Sequence, residues 1–196
     1  MNERAADPPV LILAAGPSSR LGRPKQLLTI EGQPLIRYVL RQAASATRST
    51  VHVVLGANRE LIKPALDGEH VTLVTALNWR SGMSASLNAG IRSLPADSSG
   101  VLVMLSDQFK VTAASLERLL GAWRSSGSGA IIASSYAGVL GVPAIFPARL
   151  FPRLITLQGD RGARDLMRTE ATVVAVPMPE AAIDLNLPED VRRVPG

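Results

Sequence analysis

The sequence predicts an α/β protein, a three-layer Rossmann-like arrangement around a mostly parallel central sheet. Three observations carry that reading. Short apolar runs alternate with segments of helical periodicity, most of the runs are apolar at consecutive positions, and the core must come from Val, Leu, Ile and Ala. Of 196 residues, 46% are hydrophobic but only 4% are aromatic. Strands apolar on both faces need helices above and below, which is what a βαβ succession supplies.

The elements follow in order. "PVLILAA" (9–15) reads as the first strand. Segment 34–46 then places Leu35, Ile36, Val39, Leu40 and Ala43 on one helical face, with arginines opposite. Strands follow at "TVHVVLG" (50–56) and "VTLVTA" (71–76), and a helix at 83–94. "GVLVMLSD" (100–107) is a strand, and 112–126 a helix with Thr112 as N-cap and Gly127 as its stop. Strands at 129–135 and 171–177 close the series. The Pro- and Gly-rich stretches 15–24, 138–143 and 177–188 read as loops. No repeat, low-complexity tract or linker interrupts this order, so a single domain over 1–196 is expected.

Composition narrows the chemistry. There is no cysteine, which excludes disulfides and thiolate metal sites. The two histidines, His52 inside an apolar run and His70 beside a strand, argue against zinc. The net charge is +5, and only three of the 21 basic residues are lysine. The arginines are scattered, without interleaved aromatics to stack bases, so small phosphorylated ligands fit better than nucleic acid. The N-terminal "MNERAADPP" has the pattern of neither a secretory signal nor a membrane span, and a cytoplasmic protein without membrane association is expected.

The densest chemistry is "LILAAGPSSRLGRPKQLL" (11–28). In an open parallel sheet ligands bind beyond the carboxyl ends of the strands, and this loop leaves the first of them. Gly16 and Gly22 can take positive φ. Successive amides form an anion-binding concavity that the Ser18 and Ser19 hydroxyls can extend. Arg20 offers a fork to phosphate oxygens, and Lys25 a point charge. The loop is neither a Walker A sequence nor the GxGxxG dinucleotide fingerprint. Asp107 ends another buried strand facing the same crevice, where one carboxylate with substrate phosphates suffices for Mg²⁺; a helix-capping role is the alternative. In "NWRSGMSASLNAGI" (78–91), Gly82 permits a tight turn, Ser84 is expected to cap the following helix, and Ser86 lies on its first turn.

"LAAGPSSRLGRPKQLL" resembles the L-A-A-G-x-S-x-R-x-G-x-x-K signature of the molybdenum cofactor guanylyl- and cytidylyltransferases, the MobA-like NTP transferase superfamily. Its LAAG start with Pro-Lys is similar to the cytidylyl branch. The resemblance implies a Mg²⁺-dependent nucleotidyltransferase fold in which the loop wraps a triphosphate, CTP favoured. Ala14, Ala15, Gly16, Ser18, Ser19, Arg20, Gly22 and Lys25 would then bind nucleotide. Gly82, Met83 and Ser86, in a segment similar to W-x-x-G-M-x-x-S-L, would contact base and ribose. Arg20, Lys25 and Asp107 would be catalytic, with Asp107 and Asn186 toward the metal. "GVLGVPAIF…LQGDRGARDLM" (138–167) resembles the acceptor-side stretch, which assigns Gly141, Pro143, Asp160, Arg164 and, further on, Asp184 to the acceptor. Phe109, Val142, Asn186 and Leu187 depart from the family pattern, while Pro188, Glu189 and Asp190 read as a plain helix start.

The expected reaction joins CTP to a phosphorylated small molecule, molybdopterin by family, releasing pyrophosphate, with a molybdenum hydroxylase as a candidate client. Three alternatives stay open: another nucleotide or acceptor on the same fold, an NAD(P)H-dependent oxidoreductase of the same branch, and a non-catalytic nucleotide or cofactor carrier.

Overall fold

In β1 (Val10–Ala14) every residue is buried, so its side chains feed two separate apolar layers. Val10, Ile12 and Ala14 face one layer, Leu11 and Leu13 the other. This strand is the third of seven in the main sheet of a computed structural model that describes residues 6–159 and 163–185.

After β1 come a two-residue hairpin, β2 (Thr29–Ile30) with β3 (Gln33–Pro34), and α1 (Leu35–Ala46). The chain continues through β4 (Val51–Leu55), a short α2 (Arg59–Ile62), β5 (Thr72–Thr75) and α3 (Met83–Arg92). Next are β6 (Gly100–Leu105), α4 (Ala113–Ser125), β7 (Ile131–Tyr136) and β8 (Val139–Pro147). Short helices α5 (Phe151–Leu154) and α6 (Arg164–Thr169) precede β9 (Val173–Pro177).

The sheet order is β5-β4-β1-β6-β8-β7-β9. β8 is antiparallel to both its neighbours, and the other pairings are parallel. β1, β6 and β7 therefore end on the same edge. Helices α1 and α4 cover one face, where Trp123 is fully buried, and α3, α5 and α6 pack on the other around Phe146. The α/β three-layer expectation is met.

Each of the six expected strands and three expected helices is present. Thr112 caps α4 in a full capping box with Ser115, and Gly127 takes φ 68° just after its end. Three expectations need correction, and the two edge strands differ from the rest in exposure. Residues 138–143 are not a loop but the start of β8, whose reversed direction needs only the tight Ala137–Gly138 turn, both at positive φ. The strands β5 and β9 are partly exposed, because an edge strand has a covering neighbour on one side only. Gly16 does not take positive φ; Ser18 (φ 55°) and Gly22 (φ 66°) do. Ser84 does not cap α3: Gly82 (φ 103°) occupies the cap position, no side-chain cap bond is made, and the Ser84 hydroxyl is buried without a partner among the described residues.

Candidate active site

The 15–28 segment is held from inside. Two short 3-10 turns, Ser19–Leu21 and Lys25–Leu27, fold it back over the end of β1. Gln26, 1% exposed, donates from its amide to the Ala14 carbonyl at 2.9 Å and to that of Gly16 at 3.4 Å. The Ser18 hydroxyl accepts from the Lys25 amide at 3.0 Å and donates to Gln26 Oε1 at 3.3 Å. These two bonds close the loop. Burying Gln26 brings Lys25 back over the strand end.

Asp107, 6% exposed, follows β6. Its Oδ2 pairs with Lys25 Nζ, while Oδ1 is buried and has no hydrogen-bond partner among the described residues. With Thr112 capping α4, Asp107 is no helix cap. Its backbone is braced instead. The Asp107 carbonyl accepts from Leu185 N at 3.3 Å. The buried amide of Gln108 accepts from Leu105 N at 3.3 Å and donates to the carbonyls of Val142 (2.8 Å) and Ala181 (3.1 Å). Phe109, standing where the resembled family has proline, is buried in the core.

A cavity of about 360 Å³ lies between these parts. Ala14, Ala15, Gly16, Arg20 and Lys25 line it from the loop, Gly82, Met83 and Ser86 from the start of α3, and Asp107 from β6. Trp79 forms part of the wall; it packs so closely on Gly56 that any side chain there would overlap it, and Arg80 stacks on its ring at 4.6 Å. Ser18 and Ser19 face an adjoining hollow of about 170 Å³ shared with Arg20 and Lys25. Gly22 lines neither; it ends the first 3-10 turn.

The expected acceptor residues gather elsewhere. Gly141, Pro143, Arg164 and Asp184 line neither hollow. Gly141, Arg164 and Asp184 meet at Tyr136, whose ring lies over Gly141 where a β-carbon would overlap the phenol. The Tyr136 hydroxyl donates to the Val142 carbonyl at 3.3 Å. Burial pushes this phenol above its ordinary range; the Arg164 guanidinium draws it back, and Asp184 and Asp107 push it further up. Pro143, after a cis peptide bond, accepts at its carbonyl from the buried Ser134 hydroxyl. Asp160, Asn186, Leu187, Pro188, Glu189 and Asp190 lie outside the described residues.

Gln26, Gln108, Trp79 and Tyr136 were not singled out as site residues from sequence. A glutamine directly after the loop lysine and another directly after the strand-end Asp were the available signals, since a polar residue in a short apolar stretch must find internal partners.

A buried carboxylate oxygen without a donor among the described residues, beside a cavity lined by two cationic side chains, fits a divalent ion shared with a phosphate-bearing substrate. Among the described residues no group of three or more His, Asp or Glu could hold a metal alone. No helix there is long and apolar enough to cross a membrane.

The model of the MobA-like NTP transferase domain matches residues 10–174. The chain belongs to that family. It is a nucleotidyltransferase with a nucleoside triphosphate as substrate. It is 31% identical over 173 residues to the nicotine blue oxidoreductase of Paenarthrobacter nicotinovorans, covering 84% of this chain and 83% of that one. It is 33% identical over 123 residues to the bifunctional protein GlmU of Kineococcus radiotolerans, 61% of this chain but a quarter (25%) of that protein's length. Among solved structures, Rv0371c from Mycobacterium tuberculosis H37Rv superposes with a TM-score of 0.78 at 29% identity, over 96% of this chain and 97% of that one. A manganese complex of Rv0371c superposes at 0.79 and 25% identity, over 96% and 98%.

Proposed function

We propose that this protein, acting as one nucleotidyltransferase domain in the cytoplasm, transfers a cytidylyl group from CTP to a phosphorylated small molecule, molybdopterin foremost, with Mg²⁺ as its metal. One observation carries the reading: Arg20, Lys25 and Asp107, drawn from two strand ends, line a single cavity, and Asp107 presents an oxygen with no donor among the described residues. The LAAG-to-Lys segment supports cytidylyl chemistry by its resemblance.

In this reading an acceptor phosphate oxygen attacks the α-phosphorus in line, the bond to the β-phosphate oxygen breaks, and pyrophosphate leaves. Two anions must approach each other, so positioning and charge neutralisation dominate. Arg20 forks onto phosphate oxygens, and Lys25 gives a second positive charge to the departing pyrophosphate. Mg²⁺, when bound, would be held by Asp107 and substrate phosphates and would stabilise the charge moving to the leaving group. Ser86, buried beside the start of α3, and Trp79 bound the nucleoside end. Arg164 and Asp184, grouped around Tyr136, supply the acceptor side.

The test is pyrophosphate release by the purified protein with Mg²⁺ and each of the four nucleoside triphosphates, with and without molybdopterin. CTP with molybdopterin is expected to be turned over fastest; release with another nucleotide alone would replace the assignment. The 31% identity to nicotine blue oxidoreductase favours a second reading, an NAD(P)H-dependent oxidoreductase. Oxidation of NADPH by a dye acceptor would assign that activity to the same chain.

A further inference from the structure

Lys25 and Asp107 form an ion pair whose side chains are only 17% and 9% exposed. The same carboxylate is the acid that faces the cavity. A single partly desolvated carboxylate cannot balance both an ammonium and a divalent ion, because the two cations would repel at short range in a medium less polar than water. Among the described residues no acidic cluster is present to share the load. Resting on the nucleotide reading above, we infer that Lys25 is the resident counter-ion of Asp107 and that the polyphosphate of an incoming nucleotide draws the ammonium away. Divalent metal is therefore taken up with nucleotide and only weakly before it.

The surroundings favour a side-chain swing over a loop movement. The Lys25 amide is fixed by the Ser18 hydroxyl at 3.0 Å, and the next residue, Gln26, is fixed to the end of β1. Only the flexible four-carbon stem has to turn. Arg20 and the backbone from Ala14 to Gly16 line the same cavity, so the ammonium meets phosphate without leaving the site. A polyphosphate offers several negative charges where Asp107 offers one. Once the ammonium turns, Asp107 needs a new cation, since an unpaired buried carboxylate is costly, and among the described residues its Oδ1 has no donor competing for it. The phosphates and this carboxylate then make the mixed oxygen set that Mg²⁺ or Mn²⁺ prefers.

The experiment is a Mn²⁺ titration of the full chain without nucleotide, reading the free-ion electron paramagnetic resonance signal at mildly alkaline pH. Lys25→Met is expected to bind Mn²⁺ about tenfold or more tightly than wild type, because the competing charge is gone. Lys25→Arg, which keeps the charge, should stay near wild type. Adding Asp107→Asn to Lys25→Met should cancel the gain. Equal Mn²⁺ affinity in wild type and Lys25→Met, both melting cooperatively, overturns the inference; if Lys25→Met does not fold, Lys25→Gln makes the same comparison. A separate arm measures binding of α,β-methylene CTP to wild type. No binding there would overturn the nucleotide reading, whereas binding with unchanged free-metal affinities would overturn the Lys25 assignment alone.

Discussion

The two halves of the sheet, meeting at β6, are built differently. β5, β4, β1 and β6 run parallel, and the central three are nearly continuous buried apolar runs. On the other side β8 reverses, pairs through a register shift near Ala133 and Ser134, and carries a chain of polar contacts from Ser134, Tyr136 and Gln108. In the parallel half, the second residue after a strand is delivered to the crevice by direction alone: Gly16 after β1, Asp107 after β6. In the half around β8, site geometry depends on which side chains meet across strands. Tyr136 ends β7, Val142 lies within β8, and Ala181 belongs to a later turn. The comparison teaches that the geometry of the proposed nucleotide side is fixed by topology, and that of the proposed acceptor side by packing.

The substitution expected to act most strongly lies on the seam. Asp107→Asn removes the charge both halves depend on, and pyrophosphate release should fall by about 10²–10³-fold with the fold retained. Activity within a few-fold of wild type would remove Asp107 from the reaction. Arg20→Ala tests the parallel half alone. Loss of one charge-assisted contact of about 1.5–3 kcal/mol should slow turnover roughly ten- to a hundredfold, with the acceptor KM unmoved. An effect confined to the acceptor KM would place Arg20 on the wrong side of the comparison.

Gly141→Ala probes the other half. The new methyl would displace the Tyr136 phenol, which can swing, so stability should drop by no more than about 1 kcal/mol for the lost hydrogen bond. The KM for molybdopterin should rise several-fold while CTP affinity, read by calorimetry, stays level. An equal loss of CTP affinity would show the halves to be mechanically coupled.

The smallest effect is one of pH, at the far end of the parallel half. His52, 3% exposed, starts next to Val51 and bonds to Ser93 Oγ (3.1 Å) and Thr50 Oγ1 (3.2 Å). Ser93 Oγ itself donates to the Gly90 carbonyl at 2.7 Å, so His52 Nδ1 must be the donor to it and Nε2 the acceptor from Thr50. Burial holds this imidazole below its ordinary value of 6.5. Between that value and its folded one, the unfolded chain binds the proton and the native one does not, so stability declines as pH falls through this window. The melting temperature should drop modestly on acidification from neutrality. His52→Gln should flatten that slope, and neither change should affect CTP binding at neutral pH.

Much of the nucleotide side was legible in the sequence. Apolar runs buried on both faces can only be central strands, and a Gly-, Ser- and Arg-bearing loop after the first of them can only open onto the crevice. Thr112 and Gly127 were legible because capping is local. The Ser84 expectation failed because the preceding Gly82 already turned the chain into α3. The 138–143 loop expectation failed because Gly138 and Gly141 look alike in sequence: the first makes a tight turn, and the second sits within a strand under a tyrosine ring.

By itself the sequence determined the layered fold, the strand ends and the family, since periodicity, turn residues and a long contiguous motif are properties of neighbouring positions. Only the tertiary structure decided that Lys25 meets Asp107 across 82 residues of chain, that Gln26 and Gln108 brace the site from inside, and that Tyr136 gathers Gly141 and Arg164. Those pairings follow from strand direction and close packing, which bring together side chains that no local pattern relates.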